Sequence, residues 1–272
     1  MSRGSATAKL NLALVVGPLR ADGKHEVATV LQRLALADRV DVNPGDGLTV
    51  EGFAQDTLVR AALTSLAMEA RVRPRWRARI TKRIPVAAGL GGGSSDAATA
   101  LRLANATLDE PLPEERLRDL ARALGADVPF FLANGPQLGE GEGGALTQLE
   151  LPQDYFVLLL LPRGAAKAAT GAVYDDFDRR GSDRGYELRR AGLLETVSAV
   201  ARSRDLAALP PNDLVSSPLA DELHALGAFR ADVTGAGPTV YGLFHHRQAA
   251  EAARQRLRSR GRTWLTAPAW YR

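Results

Sequence analysis

The sequence predicts an α/β protein built either from two domains or from one large α/β unit. Its 272 residues, 45% of them apolar, are enough to bury a sizeable core. Stretches with helical spacing of apolar residues alternate with stretches of strand-like alternation along the whole chain. A complete α/β set lies on each side of residues 145–155, so we place a boundary there and expect domains at 1–148 and 149–272.

In the N-terminal half, hydrophobic periodicity and turn residues mark the elements. Residues 57–70 carry apolar side chains at helical spacing, and arginines alternate with other residues over 71–79, as in a strand with one wet face. Gly125 is suited to end a helix in the left-handed conformation. The predicted elements are a strand at 9–16, an apolar stretch at 27–36, a hairpin region at 45–52, a strand at 71–79, and helices at 57–70, 96–104 and 114–124.

The C-terminal half repeats this alternation of helices and strands. Residues 156–161 form an apolar run typical of a buried strand, and residues 181–185 suggest a mobile surface loop. The remaining predicted elements are helices at 191–202, 221–226 and 247–260, a strand, glycine turn and strand over 231–244, and a last strand at 264–267.

The composition narrows the possible functions. The chain has no cysteine, which excludes disulfides, thiolate metal sites and a cysteine nucleophile, and its four histidines lack the spacing of a zinc site. The longest apolar run is too short to span a bilayer. The apolar run near the N-terminus is not followed by a signal-peptide cleavage site, so we expect a cytoplasmic protein without a membrane partner. The basic pI near 9.7 favours anionic ligands. The arginines of 71–79 could grip nucleic acid, but such rows are more often the solvated side of a sheet.

The segment PVAAGLGGGSSDAATAL, residues 85–101, predicts an anion cradle. Four glycines let the backbone turn with its N–H groups facing inward, and Ser94 and Ser95 can cap the helix that follows. The N-terminus of that helix attracts phosphate through its unpaired N–H groups and its dipole. The alternative is a flexible loop before an ordinary helix, which explains one or two glycines better than a run. No lysine follows the last glycine and the spacing is wrong for a dinucleotide site, so neither the Walker nor the Rossmann pattern applies.

Two charged residues complete the set that phosphoryl transfer needs. Lys9 lies at the edge of an apolar strand and Asp127 lies between Ala126 and Val128. Singly, such residues are usually a surface lysine and a turn aspartate. Together with the glycine segment they offer a phosphate cradle, a cation for developing charge and a carboxylate for a hydroxyl nucleophile.

Three blocks of sequence now reveal a family resemblance. AKLNLAL with RADGKHEV, the glycine segment with ALGADVPFFL, and DVTGAGPTVYGLF resemble the three motifs of the GHMP kinase superfamily. The forms GLGGGSSDAA, AKLNL and GADVPFFL resemble more narrowly the branch that phosphorylates a cytidine-diphosphate-linked methylerythritol. The resemblance runs nearly end to end. It implies the two-domain GHMP kinase fold, α/β (α+β), with an N-terminal ribosomal-protein-like domain, a C-terminal ferredoxin-like domain and a cleft between them.

The resemblance also implies a role for each matching residue. Lys9 and Asp127 would be catalytic, and Gly235 and Gly237 would form a third-motif turn that packs against the phosphate segment. The ligands implied are ATP with Mg²⁺, without a dedicated metal-ligand set, and the small cytidine-linked substrate. Neither nucleic acid nor membrane is an expected partner, and the chain would be a monomer or a weak homodimer. The ATP-binding residues would be Thr57, Pro85, Ala88, Gly89, Leu90, Gly91, Gly92, Gly93, Ser94 and Ser95, and the substrate-binding residues Asn11, Lys24, His25, Gly141, Thr170 and Tyr174.

Three positions depart from the family pattern. Lys24 stands where the family has a tyrosine that stacks on cytosine, so the base would be stacked from one side only, by Tyr174. Thr57 stands where asparagine approaches adenine, and the third motif reads TGAGP without the usual serines.

Two other functions stay open. A GHMP kinase for another small alcohol, such as homoserine, mevalonate or a sugar, would explain Lys24. A non-catalytic RNA-binding module would explain the arginine row, although Lys9, Asp127 and the complete glycine segment speak against it.

Overall fold

The computed structural model describes residues 2–53, 58–165, 169–181 and 183–269. Within these ranges the strands are β1 Ser2–Leu19, β2 His25–Pro44, β3 Thr49–Glu51, β4 Trp76–Thr81, β5 Gln137–Gly141, β6 Ala145–Gln148, β7 Phe156–Pro162, β8 Arg230–Val233, β9 Val240–Phe244 and β10 Gly261–Thr266. The α-helices are α1 Leu58–Glu69, α2 Gly92–Asn105, α3 Glu114–Leu124, α4 Thr170–Arg179, α5 Tyr186–Ala199, α6 Pro218–Ala225 and α7 Arg247–Arg256, and short 3-10 helices span Pro129–Phe131 and Ser203–Ala208.

The chain divides into two compact units that are interleaved in sequence. The first comprises Met1–Ala8, Leu36–Val86 and Gly91–Asn134, and the second comprises Lys9–Ala35, Ala87–Leu90 and Gly135–Arg272. The interleaving arises because β1 and β2 are long strands whose two ends belong to different units. The single domain boundary placed near residue 148 from the sequence stays a prediction.

The first unit contains a βαβ crossover. β3 pairs with β4 in parallel, from Thr49 opposite Arg77 to Glu51 opposite Arg79, and α1 connects the two strands. β4 pairs on its other side with the end of β2 in antiparallel register. The predicted hairpin at 45–52 is therefore wrong: the turn is there, but β3 pairs with β4 and not with the strand before it.

β4 is shorter than its arginine pattern predicted. Trp76, Ala78 and Ile80 are buried and the residues between them are exposed, which confirms the alternation. Residues 71–75 are not strand, because Arg71 has a positive φ of 55° and Pro74 cannot donate to a ladder. The exposed arginines are thus spread over a turn and one strand face.

Helices α1, α2 and α3 pack on one another in the first unit. The predicted end of α3 is confirmed, since Gly125 N donates to Ala121 O at 3.3 Å. The predicted conformation is wrong, because Gly125 is extended, with φ 159° and ψ 155°. The chain is therefore extended at Gly125 and enters a turn at Ala126.

The second unit contains a four-stranded antiparallel sheet in the order β10-β7-β9-β8. Numbered along the chain, this is the order 4-1-3-2 of a ferredoxin-like βαββαβ unit. Helices α6 and α7 pack on this sheet, and Leu158, Leu160, Leu223 and Phe244 form the centre of the core. β5 and β6, which the sequence analysis did not predict, form a hairpin, and β5 pairs with the first half of β2.

A buried arginine ties the segment before α6 to β1. The Arg230 side chain in β8 is 6% exposed and donates to carbonyl oxygens of Leu12, Leu206, Leu209 and Pro210 at 2.5–3.3 Å. Its Nε also donates to the hydroxyl of Tyr241, at 3.2 Å. One guanidinium group thus satisfies several buried acceptors at once.

Among the described residues, no helix combines the length and apolar character needed to cross a membrane.

Candidate active site

The first half of the glycine segment follows a sharply curved path. Ala87, Gly89 and Gly91 have positive φ values of 57°, 80° and 68°. Left-handed residues at alternate positions turn successive N–H groups toward one side of the chain, as in the backbone nests that bind anions. Only glycine adopts this conformation without strain, so Gly89 and Gly91 are required by the path itself.

The second half of the segment is helical, which corrects the sequence prediction. α2 begins at Gly92 and not at Asp96, Gly91 occupies the N-cap position, and Ser95 N donates to Gly91 O at 2.9 Å. Ser94 and Ser95 therefore lie inside the first turns and do not cap the helix. Helix propensity alone favours a later start, because glycine is a poor helix former.

This start leaves three N–H groups at the N-terminus of α2. Gly92, Gly93 and Ser94 come before the first intrahelical donor, so their amides can bind a ligand. A Cβ atom added to Gly93 would come no closer than 3.5 Å to Leu58, and this space allows an approach to the backbone. The helix N-terminus that could bind an anion thus lies in the first unit and begins four residues earlier than expected, and its phosphate-binding role stays a prediction.

The third motif packs directly on the curved part of the segment, within the second unit. A Cβ atom added to Gly89 would lie 2.7 Å from Gly237 Cα, and one added to Gly237 would lie 2.4 Å from Gly89 Cα. Thr239 Oγ1 donates to Ala88 O at 2.7 Å, and Lys9 N donates to Leu90 O at 3.0 Å. Two backbones thus touch where a methyl group cannot fit.

Gly237→Ala is expected to lower the free energy of unfolding by about 1–3 kcal/mol, the usual effect of overpacking. The new methyl group would overlap Gly89 Cα and Ala88 O, which are backbone atoms and cannot rotate away. Urea denaturation followed by circular dichroism measures the change. Gly192→Ala in α5, where an added Cβ meets nothing within 4 Å, should be neutral or stabilising. Equal effects of the two substitutions would contradict the close packing.

Lys9 and Asn11 lie on one face of β1 and form a buried polar chain. Their side chains are almost completely buried, and Lys9 Nζ donates to Asn11 Oδ1 at 2.7 Å. Asn11 Nδ2 donates to Thr29 Oγ1 at 2.8 Å, and Asn11 N donates to Thr234 Oγ1 at 3.0 Å. A Cβ atom on Gly235 would come within 2.9 Å of Asn11 Oδ1, so the third-motif turn closes over this chain of hydrogen bonds. The ammonium group is held in one place.

Thr29 and Thr234 are participants that the sequence analysis missed. Both are buried, and Thr29 Oγ1 passes the chain on by donating to Ala13 O at 2.8 Å. A threonine inside a strand usually indicates β propensity and nothing more. Only the pairing of β1 with β2 and the position of the third-motif turn reveal the role of these two hydroxyl groups.

Asp127 lies in a short turn of the first unit. Val128 N donates to Gly125 O at 3.1 Å, and the 3-10 helix Pro129–Phe131 follows immediately. Phe130 and Phe131 are buried and meet edge to face, which anchors the turn. The backbone of Asp127 is thus held in place by the turn, and its half-buried side chain stays accessible to a ligand.

His25 and Tyr174 lie together in the second unit. Their rings stack at a centroid distance of 4.9 Å and an angle of 20°, and His25 Nδ1 lies 2.9 Å from Gly17 O. Phe177 meets the imidazole edge to face, and Asp178 Oδ2 lies 3.4 Å from Nε2. Because a carbonyl oxygen only accepts, Nδ1 carries a proton. The sequence analysis missed Phe177 and Asp178, although their spacing from Tyr174 places all three on one face of α4.

The other predicted substrate residues are exposed or lie at the end of a strand. Lys24 is exposed, with its N–H donating to Asp22 Oδ1 at 3.1 Å, and Thr170 is exposed at the start of α4. Gly141 ends β5 with φ 69°, and a Cβ atom there would lie 3.5 Å from Arg20 Nη1. Thr57, predicted to contact ATP, lies outside the described residues, and Pro85 is half-buried at the start of the glycine segment.

One more side chain near this group has a shifted pKa. Burial, together with the charge of Glu26, raises the pKa of Tyr186 to about 12, although the charge of Arg190 acts in the opposite direction. The Tyr186 ring lies under Gly17, where an added Cβ would come within 2.7 Å of it. Tyr186 is therefore neutral at physiological pH, and its ring packs against Gly17, whose carbonyl oxygen accepts the hydrogen bond from His25.

Known proteins are similar to this chain along nearly its whole length. The family model for the GHMP kinases N terminal domain matches residues 57–135, and that for GHMP kinases C terminal matches residues 206–263. A 4-diphosphocytidyl-2-C-methyl-D-erythritol kinase of Geobacter sulfurreducens is 37% identical over 274 residues, which cover 96% of each protein. One of Anaeromyxobacter sp. (strain Fw109-5) is 39% identical over 91% of this chain and 84% of that protein. A crystal structure of 4-(cytidine 5'-diphospho)-2C-methyl-D-erythritol kinase superposes with a TM-score of 0.81 at 31% identity, covering 99% of this chain and 100% of that one.

Proposed function

Since this chain belongs to the 4-diphosphocytidyl-2-C-methyl-D-erythritol kinase family of GHMP kinases, we propose that it transfers the γ-phosphoryl group of ATP to the 2-hydroxyl group of 4-diphosphocytidyl-2-C-methyl-D-erythritol. The near end-to-end similarity to named kinases of this kind carries the proposal. The two-domain α/β fold of GHMP kinases, predicted from the sequence, is confirmed. The chain is thus a phosphotransferase with an alcohol acceptor.

The N-terminus of α2 would hold the phosphates of ATP. The N–H groups of Gly92, Gly93 and Ser94 would donate to the phosphate oxygens, and the helix dipole favours negative charge there. Phosphoryl transfer depends mainly on positioning and on electrostatic stabilisation, so a rigid cradle is the main requirement. The contact of Gly89 with Gly237 supplies that rigidity for the curved half of the segment.

Lys9 and Asp127 would act on the reacting groups. The Asp127 carboxylate would orient the hydroxyl nucleophile and accept its proton, and the Lys9 ammonium would stabilise the negative charge that develops on the transferring phosphoryl group. Asn11 holds Lys9 through its Oδ1 atom and would contact the methylerythritol part of the substrate. The buried hydrogen-bond chain from Thr29 keeps both side chains in place without ligand.

Magnesium would enter with the nucleotide. In the described part of the chain, no group of three or more histidine, aspartate or glutamate side chains could hold an ion. The site therefore fits an ion that is bound chiefly by phosphate oxygens and water, and the Ser95 hydroxyl group of α2 is a candidate protein ligand. When bound, Mg²⁺ neutralises charge on the β- and γ-phosphates.

His25 and Tyr174 would recognise the cytosine end of the substrate. A Tyr174→Ala substitution should raise the KM for the cytidine-linked substrate about 5- to 150-fold, because one aromatic stack on a base contributes about 1–3 kcal/mol. Steady-state kinetics with saturating ATP measures this. Tyr174→Phe, which keeps the ring, is the matched control and should change KM little. An unchanged KM in Tyr174→Ala would exclude the stacking role.

The test of the proposed function is ADP release with Mg-ATP and a panel of acceptors. We expect turnover with 4-diphosphocytidyl-2-C-methyl-D-erythritol and none with the same substrate lacking its cytidine, or with homoserine or mevalonate. The relatives do not favour a different small alcohol or an RNA-binding role. Turnover with another alcohol alone would reassign the substrate. Cytoplasmic location and a monomeric or weakly dimeric state remain predictions.

A further inference from the structure

Lys82 lies between two carboxylates in the first unit, beneath the glycine segment. Its Nζ atom donates to Asp38 Oδ2 at 2.5 Å and to Asp96 Oδ2 at 2.7 Å. Both aspartate side chains are fully buried, and the lysine side chain is 17% exposed. Burial alone would lower the pKa of Lys82, but the charge of Asp96 and the hydrogen bonds from both carboxylates outweigh burial and raise it.

The three residues of this cluster come from three separate parts of the chain. Lys82 is the residue after β4 and precedes the segment, Asp96 lies in the part of the segment that forms α2, and Asp38 is on β2. Asp38 Oδ1 also accepts from the N–H groups of Arg83 and Ile84. The Lys82–Asp96 ion pair therefore joins the two ends of residues 83–95, and Asp38 fixes this joint to the sheet.

The cluster also touches the segment at the start of α2. A Cβ atom added to Gly92 would lie 3.3 Å from Lys82 Nζ and 3.5 Å from Asp38 Oδ2. Gly92 carries the first of the N–H groups without an intrahelical acceptor. A shift of the ammonium group would therefore be passed to the cradle directly.

Lys82 cannot be removed from this cluster at low cost. Two buried carboxylates would be left facing each other without their cation, and an uncompensated buried charge is strongly unfavourable. They would separate or take up a proton, and either change releases α2 from the residues before the glycine segment.

We propose that Lys82, clamped by Asp38 and Asp96, is a positioning residue that sets the direction of the N–H groups at the N-terminus of α2. It acts through Gly92 and the ends of the segment and does not touch the substrate. This inference rests on the proposed function only for its kinetic consequence, since the clamp itself is a property of the protein without ligand.

Two substitutions test the clamp. Lys82→Met keeps the length of the side chain and removes the cation, and Asp96→Ala leaves the Lys82–Asp38 pair and cuts only the link to α2. In both we expect faster amide hydrogen exchange confined to residues 83–96, and a KM for ATP raised about 10- to 100-fold, as expected for a displaced binding group. The KM for the alcohol substrate should stay within about twofold, which a general loss of structure would not allow.

The control is Arg79→Met. Arg79 lies on the exposed face of β4 and pairs with Glu51 at 2.9 Å, so this variant also removes a cation and an ion pair, but an exposed pair that includes none of Lys82, Asp38 and Asp96. Its exchange and both KM values should match those of the unsubstituted protein. Unchanged exchange over 83–96 in Asp96→Ala would overturn the proposal, as would equal increases in both KM values. Amide hydrogen exchange is measured without substrate. It therefore still tests the clamp if the protein turns out not to have the proposed kinase activity.

Discussion

Asp127→Asn is expected to lower kcat by about 10²- to 10⁴-fold, the usual contribution of a positioned general base. The substitution keeps the shape of the side chain and removes its ability to accept a proton. The turn that carries residue 127 is held by the bond from Val128 N to Gly125 O and by buried Phe130 and Phe131, so the fold should be unaffected. Steady-state ADP release gives kcat, and circular dichroism gives the melting temperature.

Asp119→Asn is the matched control for this substitution. Asp119 lies on the exposed surface of α3, where it pairs with Arg122 at 2.9 Å, and surface pairs of this kind contribute little. We expect unchanged kcat in Asp119→Asn.

Lys9→Met should lower kcat by about 10²- to 10³-fold. The Asp127→Asn/Lys9→Met double variant should be about as slow as the slower single variant, because the effects of residues that act as a unit are not additive. Full turnover in Asp127→Asn would remove Asp127 from the mechanism.

Arg230→Met is expected to lower the free energy of unfolding by about 3–5 kcal/mol. The methionine would fill the space but leave buried carbonyl oxygens of Leu12, Leu209 and Pro210 without their donor. Each unsatisfied buried acceptor costs about 1–3 kcal/mol. Urea denaturation measures the loss, and Arg258→Met at an exposed position after α7 should change stability by less than about 0.5 kcal/mol. A loss below about 1 kcal/mol would mean that water replaces the guanidinium group.

The loss in Arg230→Met should also depend on pH. Burial raises the pKa of Asp232 above its ordinary 3.8, hydrogen bonds from the N–H groups of Asn212 and Val233 oppose this, and the charge of Arg230 opposes it as well. Without Arg230 the pKa in the folded protein rises further while that in the unfolded chain does not. The ionised carboxylate then weakens the fold above its folded pKa, and this penalty disappears as the pH falls toward 3.8. We therefore expect a larger difference from the unsubstituted protein at neutral than at acidic pH.

The glycine run, Lys9 and Asp127 stand out in the sequence by residue type and spacing, and their roles in phosphate binding and catalysis stay predictions. The local geometry of the glycine run was predicted less well. The start of α2 was misplaced by four residues, because the low helix propensity of Gly92 and Gly93 argues against the helical turn that these residues in fact form.

Other features were missed because they depend on contacts between distant residues or lie in segments with weak strand signals. The cluster around Lys82 was not predicted, because its two carboxylate partners are 44 and 14 residues away in the sequence. β5 was missed because two glycines lie within its five residues. β1 was expected only from Lys9, since residues 2–8 are mostly small and polar, yet Arg3 fixes them by donating to Asp41 at 2.7 Å. Pair contacts of this kind cannot be predicted from periodicity.

The measurement that tests the central claim most directly is phosphorus NMR of the complete reaction, with purified protein, Mg-ATP and 4-diphosphocytidyl-2-C-methyl-D-erythritol. We expect a new phosphomonoester resonance to grow in step with ADP, while the diphosphate resonances of the acceptor persist. The phosphorus of the new monoester should show coupling to carbon 2 of the methylerythritol chain. A monoester at another position, or loss of the diphosphate resonances, would contradict phosphoryl transfer to the 2-hydroxyl group.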